Sequence, residues 1–258
     1  ENGKVAGAAL DVFLEEPAVE NPLFGMANVI CTPHLGASTT EAQENVALQV
    51  AEQISAYLNT GEVMNALNFP SITAEEAPRL TPFVKLAELL GSFAGQLTET
   101  AIKGIRIEFE GDVSALNTRP MVAAALNGVL KPLLGNVNMV SAPVLAKDRG
   151  IAVETVNREQ MGAYDNLIRL TVVTERQERS VAGTVYGGKA PRIVEIKGIN
   201  LEAELTPNMI YITNEDKPGF IGRLGTLLGQ LGVNIANFNL GRVHQGKDAI
   251  ALISIDSD

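Results

Sequence analysis

The sequence predicts a multidomain chain that combines one α/β unit with α+β units. Near its start, two short apolar runs precede a long amphipathic segment, which indicates parallel strands followed by a helix. A middle region mixes helical periodicity with several strand patterns, and the last part has the order strand, helix, strand, strand. The length of 258 residues is enough for two or three domains with a substantial core.

Charge and composition exclude several classes of protein. The formal net charge of -10 disfavours a nucleic-acid or anionic-membrane partner, because phosphate attraction needs a basic surface. The sequence has no apolar run approaching the length of about 18 residues that a membrane span needs. The single cysteine, Cys31, rules out an internal disulfide and fits a reducing, cytoplasmic compartment. Since cysteine and histidine do not cluster, we expect no metal site.

The first segment, residues 1–70, predicts part of an α/β sheet. Residues 7–13 and 28–33 are apolar runs bounded by turn residues, as in buried strands of a parallel sheet. Ser38 and Glu41 have the spacing of a capping box, which predicts a helix over about 40–59. The apolar face of that helix consists of Val46, Val50 and Ile54.

The middle segment, residues 71–205, predicts an α+β domain after a linker at 65–78. The predicted elements are a helix with the face Phe83, Leu86, Leu90, Phe93 and Leu97, a strand at 102–111, a helix at 120–134 that Pro120 opens, and strands at 151–156, 166–174, 180–187 and 191–197. Basic residues Arg158, Arg169 and Lys189 suggest either an anion site or ordinary solvated surface.

The last segment, residues 206–258, predicts most of a ferredoxin-like β-α-β-β unit. Strands are predicted at 208–213, 233–243 and 248–255, with a helix after the turn at 214–219. Glycines 219, 222 and 225 have the spacing G-x-x-G-x-x-G, which differs from the G-x-G-x-x-G of dinucleotide loops. We therefore expect them to serve helix packing.

His34 is the principal candidate for chemistry. It follows the second apolar run and precedes the predicted helix, which is where open α/β sheets bind ligands. An imidazole at that edge can exchange a proton near neutral pH, if a carboxylate orients it. Asp11 and Glu16 follow the first strand, so both should lie at the same edge. On these residues alone, a histidine that merely caps the helix is an equally good interpretation.

The motifs "GAALDVFLEEP" and "HLGAST", seventeen residues apart, resemble the D-2-hydroxyacid dehydrogenase family, and the resemblance extends over essentially the whole chain. It implies a Rossmann-type sheet that binds NAD, with a helix crossing back to a substrate domain. It also implies that His34 is the acid/base and Glu16 its partner, and that Asp11 with His34, Leu35, Gly36 and Ala37 lines the cofactor site.

The other segments resemble the long branch of that family, whose substrate is 3-phosphoglycerate. The middle segment is similar to its allosteric substrate-binding domain, and "DKPG" with "GVNI" resembles an ACT domain, a module that senses amino acids. The implied effector is L-serine, bound between paired ACT units at Asn214, Asp216 and Asn234 of a homo-oligomer, a tetramer or dimer. Turn stabilisation is the alternative role for these polar residues.

The resemblance implies an oxidoreductase of serine biosynthesis that converts 3-phospho-D-glycerate to 3-phosphohydroxypyruvate. The alternatives are a dehydrogenase of another 2-hydroxy acid and a non-catalytic amino-acid sensor. Because the sequence opens inside a domain pattern and stops on a strand pattern, we expect it to be part of a longer protein. The family's glycine-rich cofactor loop and substrate-polarising arginine would then precede residue 1.

Overall fold

The computed structural model describes residues 3–159 and 162–256, and the chain divides into two compact units, Glu1–Glu62 and Val63–Asp258. In the first unit, β1 (Ala8–Leu10) and β2 (Val29–Cys31) pair in parallel, with Ala8 opposite Val29. The parallel pairing is confirmed. The predicted length and burial are wrong, because each strand has only three residues and Ile30 is 69% exposed. Parallel strands become buried only when layers cover both faces of the sheet, and within this unit the described residues do not cover them.

Helix α1 (Thr40–Thr60) confirms the predicted amphipathic helix, but its cap is one residue later than expected. The side chain of Thr39, not Ser38, accepts the backbone N–H of Ala42 at 3.1 Å. The helix ends at Gly61, whose left-handed backbone lets its N–H donate to the carbonyl of Tyr57. The apolar face that the sequence predicted is exposed within this unit.

The second unit is built on a six-stranded sheet in the order β4-β3-β5-β6-β7-β8. Only β3 and β4 are parallel, and the other neighbours are antiparallel. Its elements are α2 (Ala77–Gln96), β3 (Ile102–Gly111), α3 (Arg119–Leu134), α4 (Ser141–Asp148), β4 (Ala152–Arg158), β5 (Asn166–Thr174), β6 (Glu178–Tyr186), β7 (Ala190–Ile196) and β8 (Ile199–Glu204), with a 3₁₀ turn at Asp112–Ala115. Sequence analysis missed α4 and β8.

Helices α2 and α3 pack closely because glycines line their contact. A Cβ on Gly91 would lie 2.3 Å from the carbonyl oxygen of Ala125, and one on Gly128 would lie 2.3 Å from that of Glu88. Such distances are far below van der Waals contact, so the two backbones approach where no side chain intervenes. Leu86 and Leu90 of α2 are fully buried in the core beside this crossing.

The last four elements confirm the predicted β-α-β-β order. They are β9 (Met209–Glu215), α5 (Phe220–Gln230), β10 (Asn234–Arg242) and β11 (Asp248–Asp256). Their three-stranded antiparallel sheet has the order β10-β11-β9. Within the described residues, no helix combines the length and the hydrophobicity that crossing a bilayer requires.

Candidate active site

His34 and Glu16 form a hydrogen-bonded ion pair at the carboxyl edge of β1 and β2. The Nδ1 atom of His34 lies 2.5 Å from Oε2 of Glu16, and the side chains are 57% and 32% exposed. Glu16 is held in place because its other oxygen accepts the backbone N–H of Phe13 at 3.0 Å. Within the part of the chain that the structure describes, Nε2 of His34 makes no hydrogen bond. The pair therefore leaves Nε2 of His34 available for a hydrogen bond to a ligand.

The pair changes the proton affinity of both groups. The hydrogen bond and charge of Glu16 raise the pKa of His34 above its usual value, because both favour the imidazolium. The same hydrogen bond, together with the N–H of Phe13, lowers the pKa of Glu16. His34 also has a left-handed backbone with a φ of 59°, a conformation that is uncommon outside glycine and is frequent at functional sites.

Asp11 fixes the loop that carries His34. Its carboxylate accepts the hydroxyl of Thr32 at 2.5 Å and the backbone N–H groups of Leu35 and Gly36 at 2.6 and 2.7 Å. These hydrogen bonds lower the pKa of Asp11, with that from Thr32 the largest influence, so the group is a carboxylate at neutral pH. The backbone N–H groups of Leu35 and Gly36, in the loop that the resemblance assigns to the cofactor site, are thus already occupied by Asp11.

An open cavity of ≈ 740 Å³ lies beside the ion pair, within the first unit. Its walls include Phe13, Glu16, Phe24, Cys31, Pro33 and His34. Phe13 and Phe24 meet edge to face, with ring centroids 5.4 Å apart, and give the cavity an apolar side. Apolar walls with a few polar groups are typical of sites for small organic ligands.

The predicted effector residues do not lie together within one chain. Asn214 is opposite Ala249 on β11, whereas Asn234 is opposite Asp256 at the other end of that strand. The seven-residue step from Ala249 to Asp256 along β11 places Asn214 and Asn234 roughly 23 Å apart along the sheet. Asn234 donates to the side chain of Asp256 at 2.6 Å. Within one chain, Asn234 therefore lies at the opposite end of the sheet from Asp216, and the expected site between two paired units stays a prediction.

The basic residues of the middle segment give no sign of a free anion site. Arg158 donates to Glu108 at 2.7 Å, and Arg169 forms a two-fold hydrogen-bonded pair with Glu195. These glutamates neutralise both guanidinium groups, so an anion would have to displace a carboxylate. Lys189 lies in the turn between β6 and β7 and is exposed.

Sequence reasoning missed Thr32 and Thr39. The available signal for Thr32 was its position directly after the second parallel strand. Asp11 stands directly after the first strand, so parallel strands would bring the two side chains to the same edge. The hydroxyl run at 38–40 offered three candidate caps, and spacing alone selected the wrong one.

Three family models match the chain in succession. Residues 1–36 match the NAD-binding domain of D-isomer specific 2-hydroxyacid dehydrogenases. Residues 79–197 match the D-3-phosphoglycerate dehydrogenase intervening domain, and residues 208–258 match the ACT domain. The His34–Glu16 edge thus lies in the first match, and Asn214, Asp216 and Asn234 lie in the third.

Curated relatives are similar along nearly the whole chain. The D-3-phosphoglycerate dehydrogenase of Bacillus subtilis is 40% identical over 257 residues, which cover 99% of this chain and 49% of the relative. The enzyme of that name from Methanocaldococcus jannaschii is 37% identical, covering 98% and 48%, and that from Synechocystis is 38% identical, covering 99% and 47%. The chain therefore spans about half the length of these relatives. These three domain matches and relatives show that the chain is similar, along nearly its whole length, to about half of a D-3-phosphoglycerate dehydrogenase of the D-2-hydroxyacid dehydrogenase type.

Proposed function

We propose that this chain forms part of an NAD-dependent D-3-phosphoglycerate dehydrogenase. The reaction is the oxidation of 3-phospho-D-glycerate to 3-phosphohydroxypyruvate, the first step of L-serine biosynthesis. The observation that carries the proposal is the His34–Glu16 ion pair, 2.5 Å across, in a segment that matches the NAD-binding domain of 2-hydroxyacid dehydrogenases. The names of the relatives supply the substrate.

The ion pair suits the proton transfer of alcohol oxidation. Nε2 of His34 takes the hydroxyl proton while Glu16 holds Nδ1 and stabilises the imidazolium that forms. In the reverse direction, the same imidazolium donates its proton to the carbonyl oxygen. Bound NAD would supply the hydride acceptor. The raised pKa of His34 increases the fraction of imidazolium near neutral pH, which favours the proton donation of the reverse direction.

The loop from His34 to Ala37, with Asp11 behind it, would form a wall of the cofactor site. Asp11 occupies the N–H groups of Leu35 and Gly36, so we assign it the role of holding this wall in shape. A Cβ on Gly36 would lie 3.1 Å from the carboxylate of Asp11, so the loop is packed tightly at this point. Such a wall beside the ≈ 740 Å³ cavity would suit the planar nicotinamide ring of the cofactor, whose positive charge and carboxamide need polar neighbours.

The two alternatives are weaker. A dehydrogenase of another 2-hydroxy acid would share the His34–Glu16 pair, but the match to the intervening domain of residues 79–197 favours phosphoglycerate. A non-catalytic sensor would not require a histidine beside a cavity, with a pKa raised by a carboxylate that is itself held by a backbone N–H, as Glu16 is by that of Phe13.

Replacing His34 by asparagine in the full-length protein that contains this sequence tests the enzyme function. Loss of a positioned acid/base should lower the rate of phosphoglycerate oxidation by about 10²- to 10⁴-fold, with NAD binding retained. The assay is the absorbance of NADH. His244→Asn is the matched control, because His244 lies in the exposed turn between β10 and β11. Activity of His34→Asn within a few-fold of the native rate would contradict the proposal.

Serine feedback at the C-terminal sheet completes the proposed function. Asn214 and Asp216 lie at one end of the sheet and Asn234 at the other, so a site with all three requires two copies of the chain. We therefore propose a homo-oligomer, a dimer or tetramer in the cytoplasm, with L-serine bound where the end of one sheet meets the opposite end of its partner. Inhibition by L-serine and sedimentation measurements test both statements, and a monomer inhibited by L-serine would contradict the second.

A further inference from the structure

A second cavity, of ≈ 300 Å³, lies at the end of the C-terminal sheet. It is formed by the end of β9, the turn before α5, the first turn of α5 and the end of β10. The polar side chains in its wall include Asn214, Asp216, Arg242 and Gln245, and the apolar ones include Phe220 and Leu240. Arg242 is a charged residue of this cavity that neither the sequence motifs nor the effector proposal had singled out.

Asp216 and Arg242 close this cavity as an ion pair. Oδ2 of Asp216 accepts from Nη1 of Arg242 at 2.6 Å and from the backbone N–H of Gly246 at 3.3 Å. These contacts lower the pKa of Asp216, with Arg242 the largest cause, so both groups are charged at neutral pH. The side chain of Arg242 is 53% exposed. A pair that is open to water on one side contributes little to stability, so a ligand can replace it at little cost.

Asn214 adds an unused acceptor to the same wall. Its Nδ2 donates to the carbonyl of Glu215 at 2.8 Å, while its Oδ1 is shielded from solvent and has no hydrogen-bond donor among the described residues. A shielded acceptor without a donor is unfavourable unless a ligand supplies one. The cavity therefore offers a carboxylate, a guanidinium and a free amide oxygen.

We propose that Arg242 binds the carboxylate of the effector and determines that the effector is an amino acid; this inference rests on the effector function proposed above. A zwitterion can replace each half of the ion pair by its own opposite charge, with its ammonium on Asp216 and its carboxylate on Arg242. Charge is conserved in this exchange, and the planar guanidinium can donate two parallel hydrogen bonds to the new carboxylate. A hydroxyl or ammonium proton of the ligand satisfies Asn214. Lys217 is a poorer candidate, because its ammonium pairs with Glu215, which does not line the cavity, and because it lacks the two parallel donors of a guanidinium.

The effector's own carboxylate is the group to remove in the test. L-serine and L-serinamide share the ammonium and hydroxyl, but the amide of serinamide carries no charge. Isothermal titration of the full-length protein that contains this sequence with each compound gives two affinities, and their ratio measures the contribution of the carboxylate. We expect the native chain to prefer L-serine by about 10- to 100-fold, the range for a charge-assisted hydrogen bond.

Arg242→Gln should abolish this preference, lowering the affinity for L-serine by about 10-fold or more and changing that for L-serinamide by less than about 2-fold. Arg242→Lys keeps the charge without the planar fork and should retain part of the preference. Arg192→Gln is the matched control, since Arg192 forms a surface ion pair with Glu204 at 3.3 Å, outside the cavity. It should behave as the native chain does. Circular dichroism spectra show that each variant is folded.

Three results would overturn the inference, and they have different meanings. If Arg242→Gln keeps the native preference for L-serine, the carboxylate binds elsewhere and the effector function stands. If Arg242→Gln lowers the affinities for L-serine and L-serinamide equally, Arg242 only holds Asp216 in place. If the native chain binds neither compound, nor glycine or other small amino acids, the effector function is itself wrong and the role of Arg242 falls with it.

Discussion

The crossing of α2 and α3 offers a stability test with an unusually clean control. Gly91 is buried in α2, and a Cβ at this position would meet the carbonyl oxygen of Ala125 at 2.3 Å and the nitrogen of Val129 at 3.0 Å. The shorter of these is about 1 Å below an ordinary contact, and both neighbours are backbone atoms that cannot rotate away. Gly91→Ala therefore forces the helices apart.

The magnitude follows from two opposing effects. Alanine in place of glycine inside a helix is normally favourable by about 1 kcal/mol. Separating two packed helices costs about 3 kcal/mol at the upper end of the usual range for overpacking. We expect Gly91→Ala to lower the free energy of unfolding by about 2 kcal/mol. If the free energy of unfolding decreases by about 2 kcal/mol per molar urea, the urea concentration at the midpoint of unfolding should fall by about 1 M.

Gly225→Ala in α5 is the matched control. Nothing lies within 4 Å of a Cβ at this position, so only the helical preference acts, and the variant should be as stable as the native chain or up to about 1 kcal/mol more stable. Urea unfolding followed by circular dichroism measures both variants. A Gly91→Ala midpoint equal to or above the native one would show that the crossing does not resist a methyl group, and the reasoning would fail.

Two further predictions concern the first unit. Glu16→Gln should lower the pKa of His34, because the carboxylate raises it; proton NMR should show the His34 titration moving to lower pH while the resonance of His244 stays in place. Since the folded-state pKa of His34 is raised, the pair stabilises the fold below the pKa of an unfolded histidine and loses this effect as the pH rises through the folded value, and Glu16→Gln should remove that dependence. An unmoved His34 titration would contradict the ion pair. Thr39→Ala should destabilise the first turn of α1 by about 1 kcal/mol, whereas Ser38→Ala should have little effect. Amide hydrogen exchange rates in that turn compare the two variants. Faster exchange in Ser38→Ala than in Thr39→Ala would mean that Ser38 is the N-cap, as its spacing suggested.

Periodicity was sufficient to predict most of the elements. The alternation of apolar and charged residues from Ile105 to Glu110 in β3 and the four-residue recurrence in α1 each indicate one apolar face. Strand β8 also alternates, with Ile199, Leu201 and Ala203 buried between exposed residues, but only the turn at Lys197 and Gly198 separates it from β7. The sequence pattern predicts only the first of these two strands, at 191–197.

The candidate site was predictable only as far as side chains follow strand ends. His34 and Glu16 could be placed at one edge because the strands were expected to be parallel. The use of Leu35 and Gly36 as donors to Asp11 had no sequence signal, since every residue except proline carries the same N–H. The separation of Asn214 from Asn234 depends on strand register, which the residue pattern of one strand does not specify.

The segment matched by the ACT model shares its apolar interior with the domain before it. Ile250 and Leu252 of β11 belong to the same cluster as Ile199 and Leu201 of β8, and a Cβ on Gly241 would touch the carbonyl oxygen of Asn200 at 2.5 Å. If this segment were exchanged between relatives at the boundary of the ACT match, core residues of both the exchanged segment and the remaining domain would lose their native packing partners. A chimera that folds should therefore include β8 in the exchanged segment. The structural unit here is larger than the segment that sequence comparison delimits.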